Sequence, residues 1–383
     1  MKIDQYRWLG LIITIVLLII GLTFITKGFN KSSKTNISSN SQQFGNGPKI
    51  AVRQGGNFNQ SGDIWIMNAD GTQKVQLTHT GNIDKLHGWS PDNKYIATTL
   101  LLQPAIGRTA SKNSLAVVET VIELYKLPDG PSRINMVWNG NNELIVLPED
   151  GMYRVAIPSG MITTILKTYK DIDPHPNEQF TYHSSISPNN QWIALVRSTF
   201  QNEPVLLYSY NLEKKLLKKI APSPISQEKD GGFASWRGDK MIYITGMNKK
   251  NVWEVNADGS NKQLLFKPNK NNLWSFLVSR DMNKIYFEEV AVTDEKNNDA
   301  LVEYNIATKQ TRKIDLSGIE VQLGKPLRSV AAVGMGDFRL SANDMYMSLS
   351  VTDREIVGYT LNLQSGKTAR LCQSWCHTPV WSN

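Results

Sequence analysis

After residue 48 the chain alternates short apolar runs with polar turns, and the runs are rich in β-branched and aromatic residues. Lys240 to Thr245, read Lys-Met-Ile-Tyr-Ile-Thr, is typical. Runs of this length and composition, bounded by Asn, Asp, Gly, Ser and Pro, predict β-strands. The turns fall into two alternating signatures. The first is Trp89-Ser90-Pro91-Asp92-Asn93-Lys94-Tyr95-Ile96-Ala97, with copies beginning at Trp138, Ile186, Trp236, Val278 and Leu340. The second is Ile64-Trp65-Ile66-Met67-Asn68-Ala69-Asp70-Gly71, echoed at Val252 to Gly259. Looser copies of it turn at Pro128-Asp129-Gly130, Pro158-Ser159-Gly160, Leu212-Glu213-Lys214, Ile306-Ala307-Thr308 and Gln364-Ser365-Gly366. Asp-Gly and Asn-rich dipeptides supply the positive-φ positions that tight hairpin connections need.

Each unit therefore reads as four antiparallel strands, A to D. The Trp-Ser turn joins A to B, and the Asp-Gly turn joins C to D. Repeated four-stranded sheets with no helical stretch between them predict an all-β fold, a β-propeller. The second signature recurs at turns near residues 70, 129, 159, 213, 258, 307 and 365, which predicts seven blades. The alternative is six, if the short repeat at 135–166 is not a full sheet. The chain ends Pro379-Val380-Trp381-Ser382-Asn383, a strand A with its turn just begun, while Lys49-Ile50-Ala51-Val52-Arg53 resembles the strand that follows such a turn. One blade is thus expected to be split between the two ends of the domain, which leaves no unpaired edge.

Ahead of the repeats, Trp8 to Thr26 holds 19 residues without a charge. As a helix it would span roughly 28 Å, close to a bilayer's hydrocarbon core. Lys27-Gly28-Phe29 follows it, with no small-residue cleavage site, so an uncleaved signal-anchor is expected rather than a signal peptide. The expected organisation is a cytoplasmic tail at 1–7, a transmembrane helix at 8–26, a flexible Ser/Asn-rich tether at 27–48 and the propeller at 49–383. Half of the net charge of +8 lies in the first 48 residues. The remainder carries basic and acidic residues in near balance, without a basic stripe, so nucleic acid is not an expected partner.

The turns Trp-Ser-Pro-Asp-x-Lys and Met-Asn-Ala-Asp-Gly resemble the repeats of the bacterial TolB-like, WD40-like propeller family. The resemblance covers residues 49–383, and is strongest at 63–97 and 232–266. TolB itself is not implied, because that protein carries an α/β domain where this chain has an apolar segment and a tether. The motif residues serve turns and packing; Trp89, Trp138, Trp236 and Trp381 are expected between blades. A seven-residue tail inside is the usual outcome for a signal-anchor, so a single-pass protein of the cell membrane with its propeller outside the cytoplasm is expected, and the resemblance, which is to a bacterial family, points the same way.

Strand order sorts the connections. A–B and C–D turns share one face and are short. B–C and D–A connections share the other, with insertions at Gln103–Ser114, Lys167–Tyr182, Ala221–Gly231, Glu288–Ala300 and Asp315–Gly336. Long loops on a rigid scaffold are where binding residues concentrate. The residues just before the Trp position of strand A enter the central channel from that face: Asp84, His87, His183, Trp274, Asp337 and His377. Cys372 and Cys376, the sole cysteines, are expected to form a disulfide outside the cytoplasm. Two functions follow. One is a non-enzymatic module that binds a protein or a cell-envelope polymer, with no metal, cofactor or catalytic residue expected. The other is a metal-dependent glycan-processing enzyme similar to oligogalacturonate lyases, with His87, His183 and His377 as the only residues that could echo its channel histidines.

Overall fold

Almost every apolar run after Pro48 is a strand in the computed structural model, which belongs to a unit spanning Ser39–Asn383. It describes residues 47–55, 62–79, 81, 83–101, 113–118, 121–126, 135–148, 151–157, 159–167, 180–197, 205–225, 234–245, 251–268, 272–290, 300–324, 339–352, 356–372 and 376–382. Trp8–Thr26 and the tether lie outside the described residues. Among the described residues no helix is long and apolar enough to cross a membrane.

The first three strands are β1 (Lys49–Gln54), β2 (Asp63–Asn68) and β3 (Val75–Gln76). A second sheet holds β4 (Ile83–Trp89), β5 (Ile96–Leu101), β6 (Asn113–Val118) and β7 (Val121–Lys126). The third holds β8 (Asn135–Trp138), β9 (Glu143–Leu147), β10 (Met152–Ala156) and β11 (Ile162–Leu166). In the fourth are β12 (Phe180–Ile186), β13 (Trp192–Arg197), β14 (Val205–Asn211) and β15 (Leu216–Ile225), and in the fifth β16 (Ala234–Arg237), β17 (Lys240–Thr245), β18 (Asn251–Asn256) and β19 (Gln263–Phe266). The sixth comprises β20 (Asn272–Val278), β21 (Lys284–Val290), β22 (Ala300–Asn305) and β23 (Thr311–Lys313). The seventh comprises β24 (Arg339–Leu340), β25 (Tyr346–Thr352), β26 (Ile356–Asn362) and β27 (Thr368–Arg370). The last strand, β28 (Cys376–Trp381), returns to pair with β1 and completes the first sheet in the order β28-β1-β2-β3. Among the described residues there are thus seven four-stranded antiparallel sheets, and the short repeat at 135–166 is a complete one.

Burial runs from inside to outside. Strand β9 is buried along almost its whole length, whereas the outer strand β23 is exposed throughout. Middle strands covered on both faces lose the polar alternation of a one-faced sheet. The hydrophobic cores lie between successive sheets. Ala51, Ile64 and Val380 of the first sheet pack with Ile83, Leu86 and Ile96 of the second. Leu371 and Cys372 beyond β27 pack with Ile50, Met67 and Trp381 of the first. The other five cores join second to third, third to fourth, and so on to the seventh. Face-to-face packing of twisted sheets around an axis is the propeller solution to burying both faces.

Two expectations are corrected. A helix does occur between sheets: α1 (Ser317–Leu323), in the connection from β23 to β24, seats Ile319 in the core between the sixth and seventh sheets. And Pro128-Asp129-Gly130 is not a C–D turn. Strands β6 and β7 pair with Val118 opposite Val121, so that connection is residues 119–120. The other turn signatures lie where the strand order requires.

Candidate functional site

The two faces are built differently, beginning with the A–B turns. In Ser90-Pro91-Asp92-Asn93, Ser90 Oγ accepts hydrogen bonds from the amides of Lys94 (3.1 Å) and Tyr95 (2.9 Å) and donates to Asp92 Oδ1 (2.7 Å). Asn93 sits at φ 61°. The bond from the amide five places on and the donation to the residue two places on recur around Ser187, Ser279 and Ser341, with Asn190, Met282 and Asp344 in the left-handed region. In the C–D turns Asp70 Oδ1 accepts from the Thr72 amide (3.0 Å) and hydroxyl (2.6 Å), and Asp258 Oδ1 does the same with Ser260. These hydroxyl bonds hold the Asp70, Asp258, Asp92 and Asp281 carboxyls below the usual aspartate range. These four carboxylates are committed to their own turns, while Asp344 accepts the amides of Arg280 and Asp281 in the neighbouring turn.

The tryptophans tie sheet to sheet. Trp89 Nε1 donates to the Val380 carbonyl (3.1 Å), Trp138 Nε1 to Gly88 (3.0 Å), Trp236 Nε1 to Ser185 (3.0 Å) and Trp381 Nε1 to Arg339 (3.1 Å). Each acceptor lies on the innermost strand of the preceding sheet.

Toward the other face those innermost strands are irregular. The β4–β5 pairing shifts between Ile83 and Lys85, at Asp84, and between Leu86 and Gly88, at His87. The β12–β13 pairing shifts between Thr181 and Ser184, a stretch that includes His183. The β20–β21 pairing shifts between Leu273 and Phe276, at Trp274, and the β28–β1 shift is bordered by His377, which lies opposite Arg53. Four of the six expected channel residues therefore sit at β-bulges, where a residue leaves the ladder and the strand is re-aimed, and His377 stays paired beside one. Asp337 lies outside the described residues, as do the side chains of Asp84, His183, Trp274 and His377. The long insertions are also largely outside them. Their described margins extend strands: β6 takes up Asn113 and Ser114, β12 Phe180 to Tyr182, β15 Ala221 to Ile225 and β21 Glu288 to Val290.

His87 is the described member of the set. Gly88 follows it at φ 150°, a backbone region that glycine adopts freely. Both ring nitrogens of His87 are buried and, among the described residues, make no hydrogen bond of good geometry, although the Asn135 amide acts on the ring. Burial first, then the Lys85 cation, holds the imidazole well below its ordinary pKa; Asn135 opposes this and Arg339 adds to it. Burial and the two cations thus favour the uncharged form of the ring. Lys85, Asn135 and Arg339 were not among the sequence candidates. Their signal was position, since each stands within a few residues before the A–B turn of its sheet, as the histidines do. Among the described residues no group of three His, Cys, Asp or Glu side chains could hold a metal. Cys372 and Cys376 are joined, with an S–S distance of 2.06 Å, and both are buried between the seventh sheet and the first.

No protein-family profile matches the chain, and no curated protein does either. Solved structures do. TolB from Acinetobacter baumannii superposes with a TM-score of 0.52 at 12% identity, over 88% of this chain and 66% of that one. The fold is that of a TolB-like β-propeller. An oligogalacturonate lyase from Vibrio parahaemolyticus aligns with a TM-score of 0.54 at 11% identity, over 85% of each chain. A second oligogalacturonate lyase, in complex with manganese, gives 0.56 at 10%, over 85% of this chain and 86% of that one. The propeller described here spans just under two thirds of that TolB, and at such identities the likeness is one of fold.

Proposed function

We propose that this chain is a seven-bladed propeller of a bacterial cell envelope that binds a protein or an envelope polymer through the face bearing its long connections. In this reading Trp8–Thr26 is a single-pass anchor, the blades stand outside the cytoplasm, and the role is binding rather than catalysis. The observation that carries it is the state of the opposite face. There Asp70, Asp92, Asp258 and Asp281 are consumed by backbone amides and neighbouring hydroxyls, and the positive-φ positions leave little freedom to shape a pocket. The long-connection face has both chain to spare and bulged innermost strands beneath it. A metal-dependent glycan lyase is the rival; it would need the channel histidines as ligands.

The test is site-directed photo-crosslinking in intact cells. Crosslinkers at Gln103 and Asn297, in two of the long connections, should give adducts with an envelope component. Crosslinkers at Asn93 and Asn190, on the short-turn face, should give none. Adducts from the short-turn positions alone would assign the function to the wrong face. Manganese-dependent cleavage of oligogalacturonate by the purified protein would instead establish the rival.

A further inference from the structure

We infer that the outer edge of the third sheet is a self-association surface, on which β11 pairs antiparallel with β11 of a second copy of this chain. The surface is separate from the long-connection face to which binding is assigned above.

An apolar row in the third sheet runs off its edge. Trp138, Leu144 and Val155 stand opposite one another across β8, β9 and β10, buried in the seam with the second sheet. The next residue in that row is Ile162 of β11, which is 40% exposed, and Met161 beside it is 66% exposed. Thr163 and Thr164 are exposed as well. From Met161 to Leu166 the chain reads Met-Ile-Thr-Thr-Ile-Leu, without a charge, and Lys167 comes only after it. The other outer strands with described side chains each have a cation in the stretch that follows the C–D turn: Lys74, Lys218, Lys262, Arg312 and Arg370. A cation there keeps an edge from pairing with another chain. An uncharged, β-branched edge with its apolar side chains uncovered is the kind that pairs.

The backbone sets the register. The Ala156 amide donates to the Met161 carbonyl at 3.0 Å, and Thr163 lies opposite Arg154. Backbone groups alternate in direction along a strand, so Met161 and Thr163 turn theirs toward β10 while Ile162 and Thr164 turn theirs outward. The β10–β11 pairing shifts just beyond, between Met152 and Tyr153, so the regular edge ends at Thr164. One register pairs both outward residues of each copy ahead of that bulge. It sets Ile162 opposite Thr164 of the second copy, where the two exchange backbone hydrogen bonds, and Thr163 opposite its own counterpart. Such pairing is two-fold symmetric and consumes both edges, so it closes at a dimer. A second copy is the occupant this edge suits, because self-pairing brings each residue against its own kind. Threonine opposite threonine is favourable, whereas like charges directly opposite each other repel. Lys218 or Arg312 in that place would meet its own copy; Thr163 meets no such penalty.

The test is sedimentation velocity of the full-length protein in detergent over about a hundredfold range of concentration. A monomer that passes to a dimer is expected. Thr163→Lys, at an exposed position, sets two cations opposite each other and should hold the protein monomeric throughout that range. Thr163→Cys should give a covalent dimer on mild oxidation, read on a non-reducing gel, because opposed residues of a non-hydrogen-bonded pair lie about 4.5 Å apart at Cα. Thr164→Cys, equally exposed, should give none, since its two copies are offset beyond the roughly 7 Å that a disulfide spans. Circular dichroism shows whether each variant is folded. A parent that stays monomeric, or a dimer that folded Thr163→Lys leaves intact, overturns the inference. So does equal covalent dimer from the two cysteine variants, which would mark random collision. If Thr163→Lys does not fold, the cysteine pair decides the matter, and absence of a covalent dimer from Thr163→Cys overturns it.

Discussion

A buried tryptophan brings one polar atom that must be satisfied, and in this propeller the indole N–H is spent between sheets. Trp89, Trp138, Trp236 and Trp381 each donate to a carbonyl on the innermost strand of the neighbouring sheet. The aromatic body fills the seam while the N–H fixes how far one strand may slide past the next. Trp236, 8% exposed and bonded to Ser185, allows the two contributions to be separated. Trp236→Phe keeps most of the body and leaves the Ser185 carbonyl without its donor. A loss of about 1–3 kcal/mol is expected in urea unfolding, and an unchanged midpoint and slope would show that the bond contributes nothing. The role of these tryptophans was legible because each stands immediately before a turn of recognisable chemistry. The neighbours of His87 were not. Lysine, arginine and asparagine just ahead of a turn read as solvated surface, and only the ring of sheets lets Asn135 and Arg339, from other sheets, act on the His87 imidazole.

At the scale of the element, the A–B turn is a small hydrogen-bonded unit whose parts can be exchanged. The serine hydroxyl caps the incoming strand, the residue two places on accepts from that hydroxyl, and the next residue takes positive φ. Asp92 and Asp281 fill the acceptor position in two turns, and Asn189 and Asn343 fill it in two others. Asparagine thus keeps the geometry and removes the charge. The Asp92 and Asp281 carboxyls are held below their ordinary value chiefly by the bonds from Ser90 and Ser279. A carboxyl with a depressed folded pKa stabilises above its unfolded value, near about 3.9, and loses that contribution as pH falls through the folded value. The double variant Asp92→Asn, Asp281→Asn should therefore melt below the parent at pH 7, and the gap should narrow steadily between about pH 4 and pH 2. A gap that stays constant over that range would mean the carboxylate charge is not what these turns use. Turns of this kind were readable because left-handed positions demand Asn, Asp or Gly. The connection at 119–120 has only Glu and Thr and carries no such mark, so Pro128-Asp129-Gly130 drew the assignment instead. Bulges are silent for a related reason: one extra residue in β12 or β20 changes the pairing without requiring any particular side chain.

At the scale of the molecule, the ring is closed by the same chemistry that repeats within it. In four turns a serine amide donates to the carbonyl of the residue five places on, and that residue's amide bonds the serine hydroxyl or lies beside it: Ser90 with Tyr95, Ser187 with Trp192, Ser279 with Lys284 and Ser341 with Tyr346. In the split sheet the partners are 333 residues apart. The Ser382 amide donates to the Lys49 carbonyl at 2.9 Å, and the Lys49 amide donates to Ser382 Oγ at 2.9 Å. The half-motifs at the two ends of the domain thus rebuild one turn signature without a covalent turn between them, which is why the pairing of β1 with β28 could be anticipated from the sequence. Strand β28 serves two cores at once, since Val380 packs toward the second sheet and Trp381 toward the seventh. Removing Pro379–Asn383 would bare an edge of β1 and open both seams, while the disulfide at Cys372 and Cys376 would remain. Because the ring distributes load through every seam, the loss should appear as a single cooperative transition at much lower temperature rather than as local fraying. Ser382→Ala, which removes only the hydroxyl partner of the Lys49 amide, should cost about 1 kcal/mol. Calorimetry of the truncated and substituted proteins beside the parent measures both. A truncated domain that unfolds at the parent's temperature would mean that β28 does not hold the ring shut.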